Sequence, residues 1–137
     1  VRTVYGSGKS PSVLFLCGER PGWEETRDNE PFVGPAGREL WGAFEREHVP
    51  GRDSWYVTNL IKTFSKEPPS REEILRWEPT LCDELERVKP RLIVTIGAHA
   101  LRWFLGDGAE IDRMHGLAFS WGGRGKTPRD MTVIPCY

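Results

Sequence analysis

SREEILRWEPTLCDELERVKPRLIVTIG, residues 70–97, holds a helix, its stop and a strand in one uninterrupted run. Ser70 followed three residues later by Glu73 is a capping-box start, in which hydroxyl and carboxylate each satisfy a backbone N–H left unpaired by the first turn. Ile74, Trp77, Leu81, Leu85 and Val88 then recur at the spacing that keeps one helical face apolar. Lys89-Pro90 ends the helix, because proline has no N–H to donate and restricts the residue before it. Leu92-Ile93-Val94-Thr95-Ile96 is a near-continuous apolar run, as expected of a strand buried on both faces, and Gly97 turns it into a short helix through Leu101, Phe104 and Leu105. A helix leading into a doubly buried strand is the unit from which a parallel sheet with helices on its faces is built.

The same alternation extends in both directions. Upstream, Val13-Leu14-Phe15-Leu16-Cys17 reads as a first strand, Gly37 to His48 as a helix with Leu40, Trp41 and Phe44 on one face, and Trp55-Tyr56-Val57-Thr58 as a second strand. Downstream, residues 118–129 suggest an irregular hairpin or surface loop, and Met131 to Pro135 a last strand. The expected fold is therefore α/β: a three-layer α/β/α sandwich around a central, mostly parallel, four-stranded sheet. Residues 1–12 are expected to be a flexible segment and 13–137 the domain.

Composition bounds the function without revealing it. The chain has 137 residues, 38% hydrophobic and 28% charged, enough for one domain with a real core. A formal net charge of -1 means that a nucleic-acid partner would have to be met by a local basic patch. No apolar run approaches a membrane span, and no secretory signal is visible at the start. Three widely spaced cysteines make neither a disulfide framework nor a metal cluster, so a reducing, cytoplasmic setting is expected. Gly6-Ser7-Gly8-Lys9-Ser10 resembles the end of a phosphate-binding loop. Thr3 stands where that pattern needs glycine, however, and the motif precedes a strand instead of following one.

The chemistry-bearing stretch follows the first strand: Gly18-Glu19-Arg20-Pro21-Gly22, then Glu24-Glu25, then Pro31-Phe32-Val33-Gly34-Pro35-Ala36-Gly37. A carboxylate at the carboxyl end of a buried strand sits where open α/β sheets place their ligand sites. Phe32 reads either as a core plug or as an exposed stacking platform. Asn59, closing the second strand, reads either as a turn cap or as an amide at the same edge as Glu19. An acid, an aromatic face and an amide at one edge would suit a flat heterocycle.

GERPGWEETRDNEPFVGPAG, residues 18–37, resembles without a gap the first signature of family 4 and related uracil-DNA glycosylases, approximately G-E-[AG]-P-G-x-x-E-D-x-x-G-x-P-F-V-G-x-A-G. YVTNLIK at 56–62, PSREEIL, KPRLIVTIGAHALRWFLG, MHG and VIPCY resemble later segments of the same family. The resemblance implies a glycosylase that flips a uracil or related modified base out of DNA and hydrolyses its N-glycosidic bond. It implies that Phe32 stacks on the base, that Asn59 reads its edge, and that Glu19 positions water or stabilises the sugar cation. Glu25 would crowd C5 of the base, and Gly18, Gly22 and Gly34 would offer backbone N–H groups to a base carbonyl or a phosphate.

Departures from the family pattern carry further expectations. Arg20 stands where the family has a small residue and would grip a phosphate or alter which base fits; Pro21 and Gly22 share that DNA-facing turn. The family's four-cysteine iron-sulfur cluster is not expected, because Thr63 and Trp77 occupy cluster positions and Cys17, Cys82 and Cys136 do not, so no metal and no cofactor is assigned. The family's His-Pro loop and last helix would follow Tyr137, so the sequence is expected to be either a fragment or a chain that lacks the loop, and the second case leaves a base-binding module that does not cut as the alternative to an enzyme. His48, His99 and His115 are read as surface or capping residues. Arg124, Lys126 and Arg129 form the expected DNA-backbone patch, on a chain expected to act as a monomer.

Overall fold

The structure is a computed structural model and describes residues 2–137. In chain order its elements are β1 (Ser7–Gly8), β2 (Leu14–Gly18), α1 (Trp23–Asp28), α2 (Pro35–Arg46), β3 (Tyr56–Asn59), α3 (Arg71–Val88), β4 (Leu92–Ile96), α4 (Ala98–Leu105), α5 (Ile111–Met114), β5 (Phe119–Trp121) and β6 (Met131–Cys136). They form one sheet in the order β1-β3-β2-β4-β6-β5. The inner four strands run parallel, and β1 and β5 pair antiparallel at the two edges.

The sheet thus has six strands instead of the expected four. The inner four are those legible as apolar runs. β1 is a two-residue Ser-Gly pair with no apolar signal, and β5 lies in the stretch read as hairpin or loop. The segment 1–12, expected to be flexible, is docked along the edge over its described part, while residue 1 lies outside the described residues. Val4 is buried and donates its N–H to the Lys62 carbonyl at 2.7 Å, and Lys9 donates to the Trp55 carbonyl at 3.1 Å. The physical reason is the open edge of β3, whose unpaired backbone groups need partners. The glycines of the phosphate-loop lookalike serve this docking. A Cβ on Gly8, at φ +113°, would lie 2.1 Å from the Trp55 carbonyl oxygen.

Two apolar layers sandwich the sheet. On one face Phe15, Cys17, Tyr56, Ile93 and Val133 pack under α3 and α4 through Leu81, Leu85, Val88, Ala100, Trp103 and Phe104. Each fully buried aliphatic side chain here contributes about 1.5–3 kcal/mol. On the other face Leu14, Leu16, Phe32 and Val57 meet Leu40, Trp41 and Phe44 of α2. Leu92, Val94 and Ile96 on this second face are half-buried, so β4 is closed on one face and only partly covered on the other. Helix α3 begins and ends where its sequence signals stand: Ser70 Oγ accepts from the Glu73 N–H at 3.1 Å, and Lys89 adopts the left-handed cap conformation before Pro90.

The topology opens the site. From β2 the chain passes through α2, on one face, to β3; from β3 it returns through α3, on the opposite face, to β4 on the far side of β2. The order reverses at β2, and in such sheets the crevice beyond the strand ends is the natural ligand position. Gly18 and Asn59, the last residues of β2 and β3, are register partners at that edge.

Candidate functional site

A cleft of about 500 Å³ lies at this carboxyl edge, lined by Gly18, Glu19, Arg20, Pro21, Gly22, Glu25, Phe32, Gly34 and Asn59, together with Pro35 to Gly37 and Ile96. Nine residues singled out from sequence therefore meet in one place. Gly18 is the floor. A Cβ there would come within 2.5 Å of Phe32 Cζ and 2.6 Å of Asn59 Oδ1, so only a glycine lets ring and amide close over the strand end.

Phe32 is a core residue that also borders the cleft. It is 9% exposed and packed against Leu14, Leu16 and Val57, yet it lines the cleft. Its φ of +57° lies in the left-handed region, costly for an aromatic residue and found where surroundings over-determine the backbone. Those surroundings are visible. Trp41 Nε1 and Arg52 Nη1 each donate to the Phe32 carbonyl at 3.1 Å, and the other Arg52 nitrogen donates to the Pro31 carbonyl. Gly37 permits the turn, since a Cβ there would lie 2.0 Å from the Phe32 carbonyl oxygen. Trp41 and Arg52 are support residues that sequence reasoning missed; neither spacing nor motif links them to Phe32.

Asn59 is 4% exposed, and its side-chain amide makes no hydrogen bond among the described residues. A turn cap would spend the side chain on the backbone, so the capping reading does not hold. The residue is buried, but its amide is not among the buried unpaired polar atoms of the described residues, where only Thr95 Oγ1 stands, so the amide opens onto the cleft that Asn59 lines. The chain after Asn59 is strapped to the acid loop, with Leu60 N–H donating to the Gly18 carbonyl at 2.9 Å and Ile61 N–H to the Glu19 carbonyl at 3.1 Å.

Glu19 keeps its carboxylate in the cleft mouth, 43% exposed, with His99 Nε2 3.6 Å from Oε1. His99, the second residue of α4, was read from sequence as surface or capping; the structure brings it to the acid because α4 starts at the same carboxyl edge. It also lines a second cavity, of about 430 Å³, between α3 and α4.

Three expected roles are corrected by geometry. Glu25 is a staple: Oε1 accepts from Gly22 N–H at 3.0 Å, and Oε2 accepts from Val33 N–H at 2.9 Å and Gly34 N–H at 2.6 Å. The Gly22 and Gly34 N–H groups are thereby spent and are not offered to a base carbonyl or phosphate. Arg20 lines the cleft, but its guanidinium is engaged by protein partners. Its guanidinium, 6% exposed, pairs with Glu73 at 2.7 Å and donates to the Thr63 and Glu67 carbonyls at 3.1 and 3.2 Å. That pairing, with the Ser70 cap, pulls the Glu73 carboxyl down to about 2. Arg124, Lys126 and Arg129 do not join the cleft. They sit on the β5–β6 turn, which leaves the sheet at its amino edge, four register positions from the Ile96–Cys136 pair. Arg124 is committed to Glu78 and to the Trp103 ring 4.3 Å away.

The residues present do not fit the four-thiolate cluster that the family resemblance implies. Thr63 bridges to Thr3, Trp77 packs on the core, and Cys17, Cys82 and Cys136 lie on three separate elements. Burial pushes the Cys17 thiol up to about 12, keeping it protonated instead of the thiolate a metal requires.

A sheet with four parallel inner strands and helices on both faces, whose switch-point cleft gathers the Glu19 carboxylate, the Phe32 ring and the Asn59 amide, defines an α/β domain with a ligand-sized cleft at its carboxyl edge. The chain belongs to the uracil DNA glycosylase superfamily, whose family model matches residues 5–137. It is 28% identical, over 98% of its length, to the Type-4 uracil-DNA glycosylase of Sulfurisphaera tokodaii, and covers 62% of that protein. It is 33% identical to the Type-4 uracil-DNA glycosylase of Saccharolobus solfataricus over 71% of this chain and 46% of the relative. The Type-4 uracil-DNA glycosylase of Thermotoga maritima is 33% identical over 98% of this chain and 70% of the relative. The chain thus spans about half to two thirds of the length of the first two relatives.

Proposed function

We propose that this chain carries the base-recognition and acid half of a DNA glycosylase that hydrolyses the N-glycosidic bond of uracil, or a related modified base, flipped out of DNA. The observation that carries the reading is the Asn59 amide, which has no hydrogen-bond partner among the described residues and lines a cleft with Phe32 across Gly18. A flipped base stacked on Phe32 presents its edge to Asn59: Oδ1 accepts from N3–H and Nδ2 donates to O4. Cytosine offers the opposite pattern, so the amide in this orientation leaves two polar groups unpaired and disfavours it. Glu19, at the cleft mouth, is the anion for the sugar cation that forms as the base departs, or orients the attacking water. His99 beside it adds a second polar group at the same edge. Hydrolysis needs no metal in this scheme. The protein acts as a monomer in the reducing cytoplasm; among the described residues no helix is long and apolar enough to cross a membrane.

The test is Asn59→Asp, which is nearly isosteric and sets a carboxylate against O4. Binding to oligonucleotides carrying a single uracil should weaken by about 1–3 kcal/mol, with unpaired cytosine affected less. Excision of uracil should fall in parallel. Equal behaviour of parent and variant on both oligonucleotides would remove the base-reading role.

A further inference from the structure

Directly behind Asn59 lies a buried polar cluster within an otherwise largely apolar core. Lys62 is fully buried, and its Nζ donates to Glu84 Oε1 at 2.6 Å, to Thr58 Oγ1 at 2.8 Å and to the main-chain carbonyl of Asn59. Glu84, 4% exposed on α3, accepts through its other oxygen from the Tyr56 hydroxyl at 2.7 Å and the Thr58 hydroxyl at 2.8 Å. Arg87 donates to the same Tyr56 oxygen at 3.1 Å. Gly6 closes the outer side, since a Cβ there would collide with Glu84 Oε2 at 2.3 Å and Tyr56 Oη at 2.4 Å.

Buried ion pairs are weak sources of stability. Desolvating both charges consumes most of the attraction, and well-packed apolar residues of the same volume often do as well. Around this one the core is otherwise apolar: Phe15, Leu81, Leu85 and Ile61 would tolerate a hydrophobic filling. What an apolar filling could not do is hold a carbonyl oxygen. Lys62 reaches back three residues to the carbonyl of Asn59 and four to the hydroxyl of Thr58, and Glu84 fixes the ammonium from the opposite helix. The peptide plane at Asn59 is thereby fastened to α3, which in turn is packed across the sheet.

We propose that the Lys62–Glu84 pair is the positioning device of the base pocket, setting the orientation in which the Asn59 amide meets a base edge and so determining discrimination between uracil and cytosine. The proposal rests on the base-reading role of Asn59. Lys62 and Glu84 touch no substrate; they act through Asn59 as positioning residues. Discrimination by the amide depends on where its backbone carries it relative to the base edge, and movement of that backbone is the freedom the clamp removes.

The experiment compares parent, Lys62→Met/Glu84→Gln, Thr58→Val and Asn59→Asp. Lys62→Met alone would strand Glu84 as an uncompensated buried charge. The double variant removes both charges, and Gln keeps an acceptor for the Tyr56 and Thr58 hydroxyls. Thr58→Val is isosteric and cuts only the hydroxyl that bridges Lys62 and Glu84 beside their direct contact. Dissociation constants are measured on matched oligonucleotides carrying uracil, unpaired cytosine or neither, with the Asn59 side-chain NH2 signals followed by 1H–15N NMR.

In the folded double variant, preference for uracil over cytosine should fall about tenfold or more, a ΔΔG of about 1.4 kcal/mol. Affinity for the oligonucleotide with neither base should stay unchanged, and the Asn59 NH2 signals should broaden or split. A merely structural role would lower stability and move all three affinities together, and that result overturns the proposal, as does an unchanged preference with sharp Asn59 signals. Should the double variant not fold, Thr58→Val decides: a several-fold loss of preference supports the clamp and none overturns it. Asn59→Asp separates the premises. If it lowers the preference and the clamp variants do not, the clamp alone fails; if it leaves the preference untouched, base reading by Asn59 fails and the clamp with it.

Discussion

Gly18 decides whether the cleft exists. Phe32 cannot retreat from an added methyl group, because its carbonyl is tied to Trp41 and Arg52 and its backbone is held in the left-handed region by the Gly37 turn. Asn59 cannot retreat either, because its carbonyl is tied to Lys62 and the following two N–H groups are tied to residues 18 and 19. Gly18→Ala is therefore expected to force ring and amide apart at an overpacking cost of about 1–3 kcal/mol. Thermal unfolding should show a folded, somewhat destabilised domain, and titration with uracil-containing oligonucleotide should show binding lost. Retained affinity would mean that the two groups do not act together. The acid-loop glycines carry a second lesson at this scale: the N–H groups of Gly22 and Gly34 look available in sequence, yet Glu25 already occupies both.

At the scale of elements, the clasp at the start of α3 shows how a helix end and a site loop are made one unit. Ser70 and Glu73 cap the helix, and Arg20 from the loop after β2 joins the same carboxylate. Because the folded state holds the Glu73 carboxyl at about 2 against an ordinary 4.5, its contribution is fully present above pH 4.5 and is lost as the pH falls from there towards 2. Glu73→Gln should therefore be less stable than the parent near neutrality, and the gap should shrink through that acidic window. Denaturant unfolding of both proteins across the window checks it; a constant gap would show that the clasp contributes no charge-dependent stability. The helix itself runs through Pro79, a residue that removes an N–H from the ladder. The apolar stripe, with Leu81, Leu85 and Val88 fully buried beyond the proline, outweighs that local break.

For the whole molecule, the direction of the sheet separates two surfaces that sequence placed together. The inner strands are parallel, so all their carboxyl ends, and with them Glu19 and Asn59, lie at one edge, while the β5–β6 turn projects at the other. Arg129 fastens this turn internally through the Gly122 and Gly125 carbonyls, and Arg124 fastens it to α3 and α4. Replacing Arg124, Lys126 and Arg129 together with alanine should accordingly lower thermal stability and leave the salt dependence of DNA binding unchanged. A flatter salt slope would return these three to the DNA surface.

The sequence alone determined the inner strands, the ends of α3 and the composition of the acid loop. Those features rest on periodicity, capping and turn chemistry, which act between residues a few positions apart and can be read along the chain. Tertiary structure decided which of the gathered groups are free. Arg20 and Glu73, Lys62 and Glu84, Arg52 and Phe32 are partners only because strands, helices and loops distant in sequence are brought to one sheet edge. The short edge strands were hidden for a related reason: β1 forms because β3 presents unpaired backbone, a demand that the residues of β1 do not themselves express. A sequence lists its charged and amide groups, but three-dimensional packing assigns their partners, and among the described residues it gave the Asn59 side-chain amide none while turning it to the cleft.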